Sequence, residues 1–335
     1  PDFDIPENIK IAMNNAIENN YSHYTPNKGY EELREEIVKK LKKDNNIDTN
    51  IDNIIVTTGG SEAIYMCAQA FFDKGDEILL PDPSFLSYPA CIDFCESKTV
   101  AVDCKMENDL KLKVEDVQEK ITDKTKAIIL NSPCNPTGAV MDKEDIKGIA
   151  ELAEDYDFLV ISDEIYEKII YGKKHYSPGA FSENVITLNG FSKAYAMTGI
   201  RIGYINASER FNEELLKIHQ YCTACANSIG QMGALEALRG PQDSVNNMVK
   251  EFEKRRNLIV KRLKEMGYTC SKPEGAFYVY PEVENPMEFV SKAAEAGVIT
   301  VPGLPFGANG EKHIRMSYAN SYENIAKAMD ILEEV

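Results

Sequence analysis

Asn184 to Tyr204 reads NVITLNGFSKAYAMTGIRIGY, and its first part has the look of a buried strand that runs into a loop. Val185 to Leu188 is an unbroken apolar run. It breaks at Asn189-Gly190, a turn-forming pair, and delivers Ser192 and Lys193 to one end of a sheet. Eight residues beyond Lys193, Arg201 opens a second apolar run, Ile202 to Ile205. A lysine and a serine at a strand exit, with an arginine close behind, suggest a chemical site with an anion subsite. Taken alone, a lysine is most often a solvated surface residue, so the rest of the chain has to decide.

Working outward, strands and helices alternate. Ile54 to Thr57 runs into Thr58-Gly-Gly-Ser-Glu62 and an apolar helix through Phe72. Further strands are expected at Glu77 to Leu80, Thr99 to Val102, Lys126 to Leu130 and Phe158 to Ile161, with a helix from Asp142 to Tyr156. Near-continuous apolar strands of this kind imply a mostly parallel sheet covered on both faces. Before it come a helical pattern over residues 1–20, with Ile9, Met13 and Ile17 on one face, a turn-rich loop from Tyr21 to Gly29, and a helix from Glu31 to Lys43. After it, one helical stretch is expected from Glu209 to Arg239. A long amphipathic helix of about 243–266 follows, carrying Val245, Val249, Phe252, Ile259 and Leu263. Short strands then appear at Ala276 to Val279, Val298 to Val301 and Ile314 to Ser317. The expected fold is α/β: a large domain (22–240) built on a mostly parallel, helix-covered seven-stranded sheet, plus a smaller α+β domain (1–21 and 241–335).

Bulk properties narrow the function. With 335 residues, 43% of them hydrophobic, the chain can build a sizeable core. Its formal charge of −17, without any lysine/arginine block, makes nucleic acid and anionic membrane poor partners. No apolar run approaches a bilayer span and no signal-peptide pattern opens the sequence. The eight cysteines are scattered, so reduced thiols and a cytoplasmic setting are expected. Cys222-x-x-Cys225 has zinc-knuckle spacing but no second pair, and is read as packing within a helix. His23, His175, His219 and His313 show no ligand spacing, and no metal is expected. The sequence opens at Pro1 instead of methionine, which reads as a removed start or a fragment.

In an open parallel sheet, ligands bind outside the carboxyl ends of the strands. Those ends carry Gly59-Gly60-Ser61, Phe85, Asn135, Asp163 with Tyr166, and Ser192 with Lys193. Each has a plainer reading: tight turn, packing aromatic, ordinary turn, helix N-cap, core tyrosine. Together they describe a site. A helix beginning at Gly60-Ser61 offers free N–H groups to an anion, and Ser192 and Arg201 add contacts to the same anion. Phe85 offers a face to a planar ring, Asp163 a carboxylate for a ring nitrogen, Asn135 and Tyr166 donors for a ring oxygen, and Lys193 an amine for an aldehyde. A phosphate, a pyridinium, a phenolic oxygen and an aldehyde together make pyridoxal 5'-phosphate, whose mark is a Schiff-base lysine with an acidic partner.

These stretches resemble the class I/II aminotransferases of the fold type I pyridoxal-phosphate family, aspartate aminotransferase-like. The matching segments are Tyr24-Thr-Pro-Asn-Lys-Gly29, Thr57-Thr-Gly-Gly-Ser-Glu-Ala63, Asn131-Ser-Pro-Cys-Asn-Pro-Thr-Gly138, Ser162-Asp-Glu-Ile-Tyr166, Ser192-Lys193 through Gly203, and Ile314-Arg-Met-Ser-Tyr-Ala319. The resemblance implies that Lys193 binds the cofactor covalently, that Asp163 pairs with the ring nitrogen, and that Asn135 and Tyr166 contact the ring oxygen. It implies that Gly60, Ser61, Glu62 (through its backbone), Ser192 and Arg201 hold the phosphate, and that Phe85 stacks on the ring. It implies further that Arg315, with Asn135, clamps the substrate carboxylate. Tyr24 would reach the cofactor of a neighbouring subunit, making the active unit a homodimer. Two positions depart from the pattern: Gly190 stands where some relatives have a phosphate-binding serine, and Ile200 where many have tryptophan. Relatives resemble Pro1-Asp-Phe-Asp4 too, and carry just upstream a glycine-containing loop that this sequence lacks. The implied activity is ping-pong transamination from an L-amino acid to a 2-oxo acid, with aspartate and 2-oxoglutarate as leading substrates. Alanine or aromatic aminotransferase, a carbon–sulfur lyase, and a cofactor-sensing transcription regulator are the alternatives.

Overall fold

A computed structural model describes residues 2–334, so Pro1 of the quoted match lies outside the described residues. Its frame is a sheet of seven strands: β1 (Ile54–Thr57), β2 (Glu77–Asp82), β3 (Lys98–Asp103), β4 (Thr125–Asn131), β5 (Leu159–Asp163), β6 (Val185–Gly190) and β7 (Gly203–Asn206). They lie in the order β1-β7-β6-β5-β4-β2-β3. β3, β2, β4, β5 and β6 are mutually parallel, while β7 runs against both its neighbours, pairing Leu188 with Ile205 and Gly190 with Gly203. β1, β5, β6 and β7 are buried along their whole length, which is why they read as unbroken apolar runs with no alternation.

The helices of this part are α1 (Glu7–Glu18), α2 (Glu31–Lys40), α3 (Gly59–Phe71), α4 (Ser87–Phe94), α5 (Val114–Gln118), α6 (Lys143–Asp155), α7 (Glu209–Cys222) and α8 (Ser228–Arg239). α3, α4 and α7 cover one face, packing Ala63, Met66, Ile92 and Leu215 on Ile55, Ile78, Ile161 and Ile186. On the other face, Ile146 and Ile149 of α6 pack with Ile128 and Val160, and α1, α2 and α8 pack with Ile54, Val56, Ile202 and Tyr204.

The long helix α9 (Asp243–Glu265) leads to a second sheet, β8 (Tyr278–Val279), β9 (Val301–Pro302) and β10 (Ile314–Ser317), antiparallel in the order β8-β10-β9. It packs with α10 (Pro286–Glu295) and α11 (Tyr322–Leu332) around Phe252, Ile259, Phe277, Ile314 and Met329. Phe3 stands edge-on to Phe252 in this second core, while Ile9 belongs to the core of the large sheet.

Several expectations are corrected. The helical stretch from Glu209 to Arg239 is two helices. The chain turns at Ala224, which has φ +64°, and Asn227 caps the second helix by accepting the Gly230 N–H at 2.6 Å. Cys222 therefore ends a helix and is exposed, with Cys225 half-buried, so this pair is not packing inside one helix. The helix from Glu31 gives way after Lys40 to a wider turn over Leu41–Asn45, stopped by Asn46 at φ +58°. Ile17 is exposed, and Ala16 takes the buried place on α1. The run from Ala276 forms a strand only over Tyr278–Val279, and the run from Val298 only at Val301–Pro302.

Candidate active site

The parallel strands end at one edge, where a cavity of about 340 Å³ opens. Gly60 and Ser61, in the first turn of α3, form one wall. Thr58, the residue before this helix, does not cap it with its side chain, so the first-turn N–H groups facing the cavity are left without that partner. Close approach of backbone brings an arginine to the same place. A Cβ on Gly59, whose φ is +76°, would stand 2.5 Å from Arg201 Nη2, and one on Gly203 would stand 2.9 Å from the Gly59 carbonyl carbon. Arg201 itself has φ +59° and donates through Nη1 to the Thr198 carbonyl at 3.0 Å. Buried Ser192 lines the same end.

The middle of the cavity is built at the exits of β4 and β5. Asp163 is buried; its Oδ2 accepts from the Tyr88 hydroxyl at 2.9 Å and its Oδ1 from the Ile165 N–H at 3.1 Å. Burial pushes this carboxyl up to about 6, against the pull of the Tyr88 and Ile165 hydrogen bonds and of the Lys193 charge. Asn131 donates to the Asp163 carbonyl at 3.0 Å and accepts from the Asn135 N–H at 2.8 Å, which fixes the loop carrying Asn135. Lys193 is half-buried, with Nζ 5.8 Å from the centre of the Tyr166 ring and 5.9 Å from that of Phe277. Burial lowers its ammonium below the ordinary lysine value; Asp163 works the other way, and Arg201 and Arg315 add to the lowering. Burial likewise raises the Tyr166 phenol, whose oxygen lies 3.0 Å from the Tyr278 hydroxyl.

The far end belongs to β10. Arg315 donates through Nη1 to Asn135 Oδ1 at 3.1 Å, and its guanidinium lies 4.8 Å from the ring centres of both Tyr278 and Phe306. Its Nε is buried without a hydrogen-bond partner. Among the described residues neither Lys193, Arg201 nor Arg315 is in a salt bridge, although the chain as a whole carries a charge of −17. Three cations facing one carboxylate, with unclaimed donors at both ends, suit a ligand bearing anionic groups at both ends.

The cavity thus gathers most of the residues singled out in the sequence, with Phe85 on its wall, edge-on to Tyr88. Two are not brought there. The Glu62 side chain turns away to accept from the Thr58 N–H and to meet His219 and Thr223. Tyr24 projects from its loop, 89% exposed. Residues that sequence reasoning missed also line the cavity: Tyr88, Asn131, Thr198 and Tyr278. Tyr88 follows Phe85 by three residues, its N–H donating to the Phe85 carbonyl at 3.1 Å in the turn that opens α4. Asn131 is the last residue of β4, an exit position in its own right. Tyr278 gives no local signal.

Behind Asp163 lies a buried polar cluster that spacing also failed to reveal. Glu164, Glu167 and His175 bring ligand-type atoms together, and the Lys40 ammonium sits among them, paired with Glu167 and donating to Asn45 Oδ1 at 2.7 Å. Burial alone would raise the Glu167 carboxyl, but Lys40, His175 and Lys168 hold it down at about 2. A wider depression of about 860 Å³, lined by Lys28, Asp52, Arg210 and Glu213, lies by the starts of β1 and β6, away from the strand exits.

A site of this design, at the exits of such a sheet, is that of an enzyme acting on a small anionic ligand. The chain belongs to the class I and II aminotransferases, whose family model matches residues 1–332. It is thus a transaminase, and its relatives are close. It is 50% identical to a probable aspartate aminotransferase of Methanocaldococcus jannaschii, over all of this chain and 91% of that protein. Among solved structures, an aromatic aminotransferase of Pyrococcus horikoshii superposes with a TM-score of 0.97 at 41% identity, covering all of this chain and 93% of that one. The aspartate aminotransferase of Thermus thermophilus with maleate superposes with a TM-score of 0.96 at 36% identity, covering all of this chain and 89% of that one. No helix among the described residues is long and apolar enough to cross a membrane.

Proposed function

We propose that the cavity holds pyridoxal 5'-phosphate and that the enzyme moves an amino group from aspartate to 2-oxoglutarate in two half-reactions. The observation that carries this reading is the set of unclaimed groups: Lys193 without an ionic partner, buried Arg315 Nε without an acceptor, and the uncapped first turn of α3 beside Arg201. These fit the cofactor's phosphate, ring and aldehyde and a substrate carboxylate. Gly60, Ser61, Ser192 and Arg201 would hold the phosphate, Phe85 would stack on the ring, Asn135 and Tyr166 would donate to the ring oxygen, and Asp163 would keep the ring nitrogen protonated. Glu62 joins this set only through its backbone. When bound, the cofactor supplies an aldehyde for amine exchange and a protonated ring that draws electrons from the substrate Cα. Lys193 Nζ would take the proton from the substrate Cα and deliver it to the carbon that carried the cofactor's aldehyde; its lowered pKa leaves more neutral amine at physiological pH. Arg315, held by Asn135 and braced between two rings, takes the substrate α-carboxylate in a planar, two-point contact.

The same reading assigns Tyr24, exposed on its loop, to the cofactor of a partner subunit in a homodimer. It divides the chain into a cofactor-binding unit (22–240) and a second unit (241–335 with 1–21), the first segment touching both cores through Phe3 and Ile9. A cytoplasmic location accords with the acidic, cysteine-scattered sequence. Aspartate is preferred because the most similar relative reported above is named for it and the Thermus structure holds maleate, a four-carbon dicarboxylate. The aromatic walls Phe85 and Tyr278 and the Pyrococcus structure favour an aromatic substrate as the second reading. Single amino acids added to the cofactor-loaded enzyme discriminate between them. Aspartate is expected to bleach the visible cofactor band at the lowest concentration; saturation at lower phenylalanine or tyrosine would replace the first reading by the second. Pyruvate released from cystathionine without a 2-oxo acid would mark a lyase instead.

Gly59→Ala tests the phosphate end. The added methyl would meet the Arg201 guanidinium in a backbone conformation that costs alanine about 1–2 kcal/mol. Titration with pyridoxal phosphate is expected to show an affinity lower by about tenfold, and unchanged affinity would argue against Arg201 as the phosphate ligand.

A further inference from the structure

His219 is fully buried on α7, and both its ring nitrogens face acceptors. Nδ1 lies 2.9 Å from Glu62 Oε1 and Nε2 lies 2.9 Å from the Asn27 carbonyl oxygen. Nδ1 thus faces a carboxylate and Nε2 a carbonyl, each an acceptor. Thr223, at the end of the same helix, donates to Glu62 Oε1 at 2.7 Å. The other carboxylate oxygen of Glu62 accepts the Thr58 N–H. Burial opposes charge on Glu62, but the His219 and Thr58 hydrogen bonds outweigh it and hold the carboxyl below its ordinary range. Thr58 is the residue before α3, so this carboxylate fixes the direction in which the helix starts and leaves the N–H groups of Gly60 and Ser61 for the cavity. The Asn27 end of the chain is anchored in turn, since Asn27 Nδ2 donates to the Ala224 carbonyl at 2.7 Å.

We propose that Glu62 and His219 form a positioning pair that aims the first turn of α3 at the cofactor phosphate. The proposal rests on the reading of the cavity as the pyridoxal phosphate site. Neither side chain lines the cavity. Glu62 sets the helix start, and His219, fully enclosed and held at both nitrogens, keeps the carboxylate from swinging into solvent or toward the cavity's cations.

The test compares two ligands, pyridoxal phosphate and pyridoxal, which differ only in the phosphate. Equilibrium dissociation constants are measured for the wild type, His219→Leu, His219→Gln and Arg201→Ala. His219→Leu is expected to weaken pyridoxal phosphate about tenfold and to leave pyridoxal within about twofold, and His219→Gln, which keeps one donor, to fall between. Glu62→Gln, equal in shape, is judged by the same criterion if the leucine variant does not fold. Equal losses for both ligands would mean a general structural role and overturn the proposal, as would no loss for pyridoxal phosphate. If Arg201→Ala weakens the phosphate ligand and His219→Leu does not, only the pairing fails. If neither does, the phosphate reading fails with it.

Discussion

Lys193→Ala is expected to lower transamination by about 10⁴-fold or more, because in the proposed function one amine serves both as nucleophile and as proton carrier. The fold should survive. Lys193 is in no salt bridge among the described residues, and the buried Asp163 carboxylate keeps its bonds from Tyr88 and Ile165 when the lysine is gone. The cofactor should also stay, held through Arg201 and the start of α3, and visible by its absorbance after gel filtration. Lys193→Arg separates charge from chemistry. It keeps a cation facing Asp163, but its guanidinium does not deprotonate at neutral pH, so it should be as inactive as the alanine variant. Turnover near the wild-type rate in either protein would remove Lys193 from the mechanism.

Asp163→Asn is expected to cost about 10³-fold in kcat, the scale seen when a buried group facing developing charge is neutralised. It also carries a pH signature. In the ligand-free protein burial brings the Asp163 carboxyl up to about 6. A protonated ring nitrogen beside it favours the carboxylate, so its pKa falls on binding and a proton is released below pH 6. Cofactor affinity through this group should therefore be constant above about pH 6 and decline as pH falls through it, by at most about tenfold per unit. The asparagine variant cannot titrate there, and its affinity should lack that decline. Identical pH profiles for the two proteins would show that Asp163 does not face the ring nitrogen.

How much of this was legible in the sequence depends on where each signal lives. Strands buried on both faces wrote themselves as apolar runs, so Ile54–Thr57 and Val185–Leu188 were found, and the residues at their exits followed from the sheet rule. The break between α7 and α8 was not found, because Thr223 to Ala226 carries no proline or glycine and its turn depends on the positive φ of Ala224. Tyr88 was missed because its hydroxyl partner, Asp163, is 75 residues away. The buried Lys40 cluster escaped for the same reason: Asn45, Glu164 and His175 meet only in three dimensions. Long-range polar pairing has no period, and composition records the charges without saying which of them are inside.

β7 returns antiparallel alongside β6. A chain that left β6 for a parallel neighbour would have to carry its connection across to the far edge of the sheet before it could return, whereas residues 191–202 stay by the strand exits. By turning straight back, this one places the Lys193 amine and the Arg201 guanidinium eight positions apart on one tether, both facing the cavity. The two groups therefore share one inheritance. A length change between them would displace one against the other, and a segment of fewer than twenty residues carries both the amine and the guanidinium to which the proposed function gives the chemistry and the phosphate.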